Sequence, residues 1–409
     1  MKRVVVTGIG ALSPLGHDWP TVLARLRSGK NAVQVIEGWA KYQGLLTQLG
    51  APAAPFTLDE RRYNRKSTRS MGRVAVMSVR ASEVALTQAG LLEDPVLRSG
   101  KVGVAYGSSS GSPPAIADFG SMLISGTTEG IHATTYLKMM SHTAPVNIGV
   151  HFGLTGRIVP TSSACTSGSQ GLGYGYEAIR LGKQVAMLAG GAEELDATQA
   201  AIFDTLFATS TKNDRPSETP APFDRDRDGL VLGEGACTFV LEELEHAKAR
   251  GATILCELVG FGCNSDGTHV TQPSSATMAV AMRLALEDAG LEPQDIGYVN
   301  AHGTATQHGD VAESHATHEV FGERAPISSL KSYMGHTLGA CGALEAWMSL
   351  EMMREGWVSP TINLRHVDPA CAPLDYVMGE GRALSTEFVM SNNFAFGGIN
   401  TSLIFKRWS

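Results

Sequence analysis

The chain has 409 residues, 43% of them hydrophobic and 18% charged, with a formal net charge of −7. That length can bury a large core and holds two or three domain-sized units, while the acidic balance argues against a general nucleic-acid binder. No stretch has the uninterrupted apolar length of a membrane span, and the six cysteines show no CxxC pair or regular spacing, which argues for reduced thiols in the cytoplasm and against a disulfide framework or metal ribbon.

In chain order, RVVVTGIGALSPLG opens as a strand and a glycine turn. It has no long apolar region or small-residue cleavage site, so it does not read as a signal peptide. Gly8 and Gly10 are followed by Ser13 where a dinucleotide loop needs its third glycine, and no acid follows some twenty residues on, so it reads as a structural turn. In RRYNRKSTRSMGR, Arg62, Arg65, Lys66, Arg69 and Arg73 fall three and four apart, so a helix here carries a basic stripe. Such a stripe is most often a solvated face, though on an acidic protein it can steer an acidic partner.

Beyond it, strand-length apolar runs alternate with helical periods, the pattern of an α/β protein. The chain also repeats itself. VALTQAGL from Val84 is echoed by LALEDAGL from Leu284, each leading into an apolar strand. SSACTSGSQGLGYGYEAI from Ser162 is echoed by SSLKSYMGHTLGACGALEAW from Ser328, and GEGACTFVLEEL from Gly233, more weakly, by FGGINTSLIFKRW. Three echoes in one order imply two similar halves, 1–251 and 252–409, the first enlarged between about 107 and 160. The Gly- and Ala-rich helices of the second echo are candidates for a buried central pair, with the site at the junction of the halves.

Cys165 sits where a strand turns into a helix, and helix N-terminal N–H groups there favour a thiolate nucleophile. Free cysteine also packs well, and the other five read as packing. His302 ends a strand, and His336 and Lys331 lie in the echo of the cysteine segment, with Lys331 opposite Cys165 when the two are aligned. Neutral imidazoles there can donate to a developing oxyanion. A metal cluster of His302, His308, His315 and His318 is the weaker reading, since no recognised ligand spacing is present. Glu313 and Glu345 read as buried carboxylates that hold neighbouring histidines and backbone, or as surface acids.

Together TSSACTSG, NAHGTATQHGDVAE, LKSYMGHTLGACGALE and SNNFAFGGIN resemble the motif set of the β-ketoacyl-acyl carrier protein synthases, over essentially the whole chain. The resemblance implies a thiolase fold, a five-layered αβαβα sandwich of two similar halves, in a dimer with itself or with a homologous ketosynthase-like subunit. It implies an acyl group carried on Cys165, with His302 and His336 hydrogen-bonding the enolate formed when malonyl carrier protein loses CO2. Backbone N–H groups of Cys165 and Phe396 would form the oxyanion hole, with Phe396 gating the acyl pocket. Lys331 and Glu313 would form a charged network behind the histidines, and Thr304, Thr306 and Thr271 would bind the pantetheine arm. Acyl carrier protein would dock on Arg62, Arg65, Lys66 and Arg69. No metal or bound cofactor is implied, the substrates being carried on phosphopantetheine. Phe207 stands where the family often has a basic residue, and Ser110 where long-chain enzymes have a larger apolar one. The alternative, a chain-length-factor-like partner subunit, typically lacks the cysteine; a thiolase would carry a second catalytic cysteine near the C-terminus, where this chain has NFAFGGIN.

Overall fold

In the computed structural model, which describes residues 1–409, eleven strands are hydrogen-bonded edge to edge: β1 (Val4–Leu12), β2 (Val102–Gly107), β3 (Ile158–Pro160), β4 (Ala186–Glu193), β5 (Gly235–Glu243), β6 (Cys256–Ser265), β7 (Ile296–Asn300), β8 (Pro326–Ser328), β9 (Asp375–Tyr376), β10 (Phe388–Ala395) and β11 (Ile399–Arg407). Their order is β9-β8-β7-β10-β11-β6-β1-β5-β4-β2-β3. From the central β1–β6 pair outward, β1, β5, β4, β2, β3 on one side match β6, β11, β10, β7, β8 on the other. The pairing matches as well: antiparallel in the first two steps, then parallel.

The helices that make the layers are α1 (Arg73–Gln88), α2 (Thr143–Phe152), α3 (Ser167–Arg180), α4 (Ala197–Thr205), α5 (Ser275–Ala289), α6 (Gln307–Phe321) and α7 (Cys341–Glu355). Helices α1 and α2 cover the outer face of the first half-sheet, α5 and α6 that of the second, and α3 and α7 lie between the two, giving the five-layered thiolase fold. A helix between two sheets has no solvent face, and α7 is buried at every position from Cys341 to Met353. Small residues set how closely the central pair crosses: a Cβ on Gly168 would lie 2.9 Å from the Gly339 carbonyl, and one on Gly342 2.6 Å from the Ser169 nitrogen.

The opening glycines have the same explanation. Gly8 and Gly10 lie on β1 beneath α1, where a Cβ would come 2.2 Å from the Ala85 carbonyl and 2.1 Å from that of Ala81. Gly260 and Gly262 on β6 stand in the same relation to Ala285 and Ala281 of α5, at 2.4 and 2.0 Å. The motif is a flat strand surface for close helix packing, not a phosphate loop.

Two expectations need correction. The second echo is out of register: both halves enter their central helix through a single 3₁₀ turn, Ala164–Thr166 and Leu338–Ala340, so Cys165 corresponds to Gly339. Lys331 lies in additional residues between β8 and that turn. The basic stripe is not one helix either. A four-residue helix, Arg65–Thr68, is capped by the Asn64 side chain, the chain breaks at Gly72, and Arg73 begins α1 paired with Glu234 at 2.6 Å. No helix is long and apolar enough to cross a membrane.

Candidate active site

Strand β3 ends at Pro160, and the chain must turn sharply to enter α3. Ala164 takes a left-handed φ of +50° to do so, a strained conformation for a residue with a Cβ. The turn is laced by Thr161 Oγ1 donating to the Ser167 carbonyl (2.8 Å) and Ser167 Oγ to that of Ala164 (2.7 Å). Cys165 stands at its tip with 5% of its surface exposed. Burial pushes the thiol up to about 12, against the positive charge of Lys331. Glu193 adds to the rise, and the N–H groups of Phe396 and of Cys165 itself oppose it. The helix terminus therefore does not make a resting thiolate here; desolvation outweighs it, and the cysteine rests as a thiol.

His336 Nε2 lies 3.0 Å from Cys165 Sγ, while the Leu338 N–H donates to His336 Nδ1 at 3.2 Å. Since Nδ1 accepts, the proton of the neutral ring is on Nε2 and is aimed at the sulfur. The same logic assigns His302. Its Nδ1 faces Lys331 Nζ at 3.2 Å and Asn393 Nδ2 at 3.4 Å, both donors, so Nε2 carries the proton. Burial holds both imidazoles well below their ordinary pKa range, with Lys331 adding to it. The rings meet edge to face with centroids 5.1 Å apart, and a nitrogen of each lies within 4.8 Å of the other and of the sulfur. Two N–H donors thus converge beside one thiol.

Behind them, Lys331 Nζ donates to Glu345 Oε1 at 2.5 Å, with both side chains at most 1% exposed. Burial works to lower the ammonium, but Glu345, with Cys341 and Glu313 adding to it, outweighs burial and Lys331 is held above its ordinary range. Asn393 Nδ2 donates to the other Glu345 oxygen at 2.9 Å. Glu313 is not the carboxylate nearest Lys331: it accepts from the backbone N–H groups of His302 (2.7 Å) and Gly303 (2.6 Å), fixing the loop that carries the histidine. Asn393, in SNNFAFGG, was missed by residue-level reading; its signal is a buried amide within a strand. Cys341 packs, its thiol donating to the Cys165 carbonyl at 3.2 Å.

A cavity of about 1190 Å³ opens onto Cys165, His302 and His336. Thr304, Thr306, Thr271 and Phe396 line it, the hydroxyls of Thr304 and Thr306 lying 2.9 Å apart. The Phe396 ring packs on Phe203 at 5.3 Å. His308 and His315 are exposed on α6, His315 bonded to the Ala370 carbonyl, so no metal cluster forms with His302 and His318. Arg65, Lys66 and Arg69 are exposed and make no ion pair, whereas Arg62 is held by Glu83 and Glu93.

Ser110 lies near another buried acid, Glu193. Glu193 accepts from the N–H groups of Ser109 (2.8 Å) and Gly339 (2.9 Å) and lies 3.2 Å from the Gln199 amide. Burial pushes its carboxyl up to about 7, from an ordinary 4.5. The folded state therefore holds the extra proton. This contribution is complete below about pH 4.5 and is lost as pH rises through 7, on the order of 3 kcal/mol in total. Thermal denaturation between pH 5 and 8 is expected to show the decline, and Glu193→Gln to reduce it. An equally steep decline in the variant would rule the assignment out.

A five-layered fold of two like halves with Cys165, His302 and His336 gathered at their junction is that of the condensing acyltransferases. Within that class the chain belongs to the β-ketoacyl synthase family: residues 1–247 match the family's N-terminal domain model and residues 255–365 its C-terminal domain model. A 3-oxoacyl-[acyl-carrier-protein] synthase 2 of Coxiella burnetii is 37% identical, with 99% of each chain covered. A β-ketoacyl synthase crystal structure from Burkholderia phymatum is 61% identical over the whole of both chains, with a TM-score of 0.98. A type II polyketide ketosynthase, solved in complex with its acyl-carrier protein and bound to the hexaketide, is 28% identical over the whole of both chains at a TM-score of 0.87.

Proposed function

We propose that the chain is a 3-oxoacyl-[acyl-carrier-protein] synthase in which Cys165 carries the acyl group and His302 and His336 govern the decarboxylative step. The convergence of two neutral imidazole N–H groups beside one buried thiol carries this reading. In the first half-reaction the Cys165 sulfur bonds to the acyl carbon of a carrier-protein thioester, the old C–S bond breaks, and the thiol proton leaves with the released pantetheine thiol. The N–H groups of Cys165 and Phe396 stabilise the oxyanion. In the second, malonyl carrier protein loses CO2 and the electron pair forms an enolate whose oxygen accepts from both Nε2–H groups. Its carbon then attacks the acyl-enzyme carbonyl, the C–S bond to Cys165 breaks as the 3-oxoacyl product is released, and the departing sulfur takes up a proton from solvent to restore the thiol.

Thr304, Thr306 and Thr271 suit a pantetheine arm, since they offer hydroxyls along the cavity to an amide-rich chain. The substrates arrive on phosphopantetheine, and the exposed cations of Arg65, Lys66 and Arg69, with Arg62 beside them, suit an acidic carrier protein. Exposed Leu123, Ile124, Tyr136, Val150 and Ile158, the last on edge strand β3, suit a subunit interface with a second copy or a homologue. Six free thiols suit the cytoplasm. Cys165 with both histidines disfavours the partner-subunit reading.

The test is intact-mass analysis after incubation with acyl carrier-protein thioesters. The wild type is expected to gain one acyl group and Cys165→Ala none. Acylation persisting in the variant would sink the nucleophile assignment, and a wild type that never loads would restore the partner-subunit reading.

A further inference from the structure

We propose that Phe207, with Leu206 and Ile202 beside it, is an apolar anchor on which the carrier protein rests while its arm reaches Cys165. This rests on the reading above that substrates arrive on a carrier protein. Helix α4 ends in a paired-hydrogen-bond stop: the Phe207 N–H donates to the Asp204 carbonyl (2.9 Å) and that of Ala208 to the Phe203 carbonyl (3.0 Å). The residue between must be left-handed, and glycine usually fills that place because it has no Cβ. Here it is Phe207, at φ +51°. The residue is 85% exposed, so the strain is not repaid by burial within this chain.

The backbone that bears the ring is anchored rather than a loose end. Asp204, in the last turn of α4, accepts from the N–H groups of Leu46 (2.6 Å) and Thr47 (3.2 Å) and from the Thr209 hydroxyl. Leu206 and Phe207 line the rim of the cavity that ends at Cys165, as does exposed Val270. Val270 in turn accepts from the Gly397 N–H, beside Phe396, at 2.8 Å. The next cation along the chain, Lys212, is engaged by the Asp226 carbonyl (3.1 Å) and Asp228 (3.5 Å). This part of the rim is apolar, without a free charge.

The position selects the occupant. Cys165 is buried at the end of the cavity, so a thioester reaches it only on an arm, and the body bearing the arm sits on the rim. A second copy of this chain seated there would close the mouth. Aromatic residues, phenylalanine among them, are enriched at protein interfaces, and an apolar contact keeps its strength in salt where ion pairs lose theirs.

The experiment compares Cys165 loading from an acyl carrier protein with loading from an acyl pantetheine thioester that has no protein attached. In Phe207→Gly, the ratio of the two specificity constants is expected to fall about tenfold towards the free thioester. The thermal midpoint is expected to hold or rise, because glycine relieves the left-handed strain. In 0.5 M salt, which screens Arg65, Lys66 and Arg69 in both proteins, the wild type is expected to keep more of its preference for the carrier than Phe207→Arg does. An unchanged ratio in Phe207→Gly, or a shift in oligomeric state in its place, would overturn the proposal. A wild type that loads from the free thioester but shows no preference for the carrier would overturn the docking alone; loading from neither donor would overturn the nucleophile reading and the docking with it.

Discussion

His302→Ala is expected to slow CO2 release from malonyl carrier protein by about 10²–10³-fold, the usual cost of removing one donor from a developing oxyanion, while acyl loading of Cys165 changes far less. The asymmetry follows from the tautomers. His336 directs its Nε2–H at the sulfur and so takes part in both half-reactions, whereas His302 makes no hydrogen bond to the thiol. Following CO2 release and intact mass on the same samples separates the two. Equal loss of loading and decarboxylation would count against a role for His302 confined to the enolate.

Lys331→Met is expected to cost about 3–5 kcal/mol of stability, because it leaves the Glu345 carboxylate buried without its cation. Both partners are at most 1% exposed, so water cannot replace the lost charge. Replacing Glu345 by Gln in the same chain is expected to recover much of the loss, since the second change removes the stranded charge. Chemical denaturation of the two single variants and the double variant measures this; additive losses would mean that the 2.5 Å contact is not an energetic pair. The same substitution removes a positive charge that helps hold His302 and His336 neutral, so their titration is expected to move up.

Cys165 and both histidines stood out because each lies close to a glycine at a strand end or on the way from a strand into a helix. The two halves were legible because the chain repeats itself. What a linear reading missed depends on three-dimensional sums. Aligning SSAC with SSLK put Lys331 opposite Cys165, because matching serines hide the extra residues before the second turn. The state of Cys165 is decided by desolvation, which local helix position does not reveal. Glu313 and Glu345 look alike in sequence, yet one holds backbone and the other the lysine. The basic stripe had helical spacing, but spacing says nothing of Gly72, which ends the run.

The seam at the middle of the sheet bears on how the protein is made. Strand β1 is sandwiched between β5 and β6, its outer end joined to β6 through Val4, Val5 and Val6 against Leu258, Glu257 and Cys256. Strand β1 thus leaves the ribosome well before both of its neighbours, each more than 220 residues further along the chain. Until those emerge, VVVTGIGAL offers two unpaired apolar edges to whatever is nearby. Order of synthesis and order of assembly are opposed across this seam, and strand β1 is the segment on which a ribosome-associated holdase has most to do.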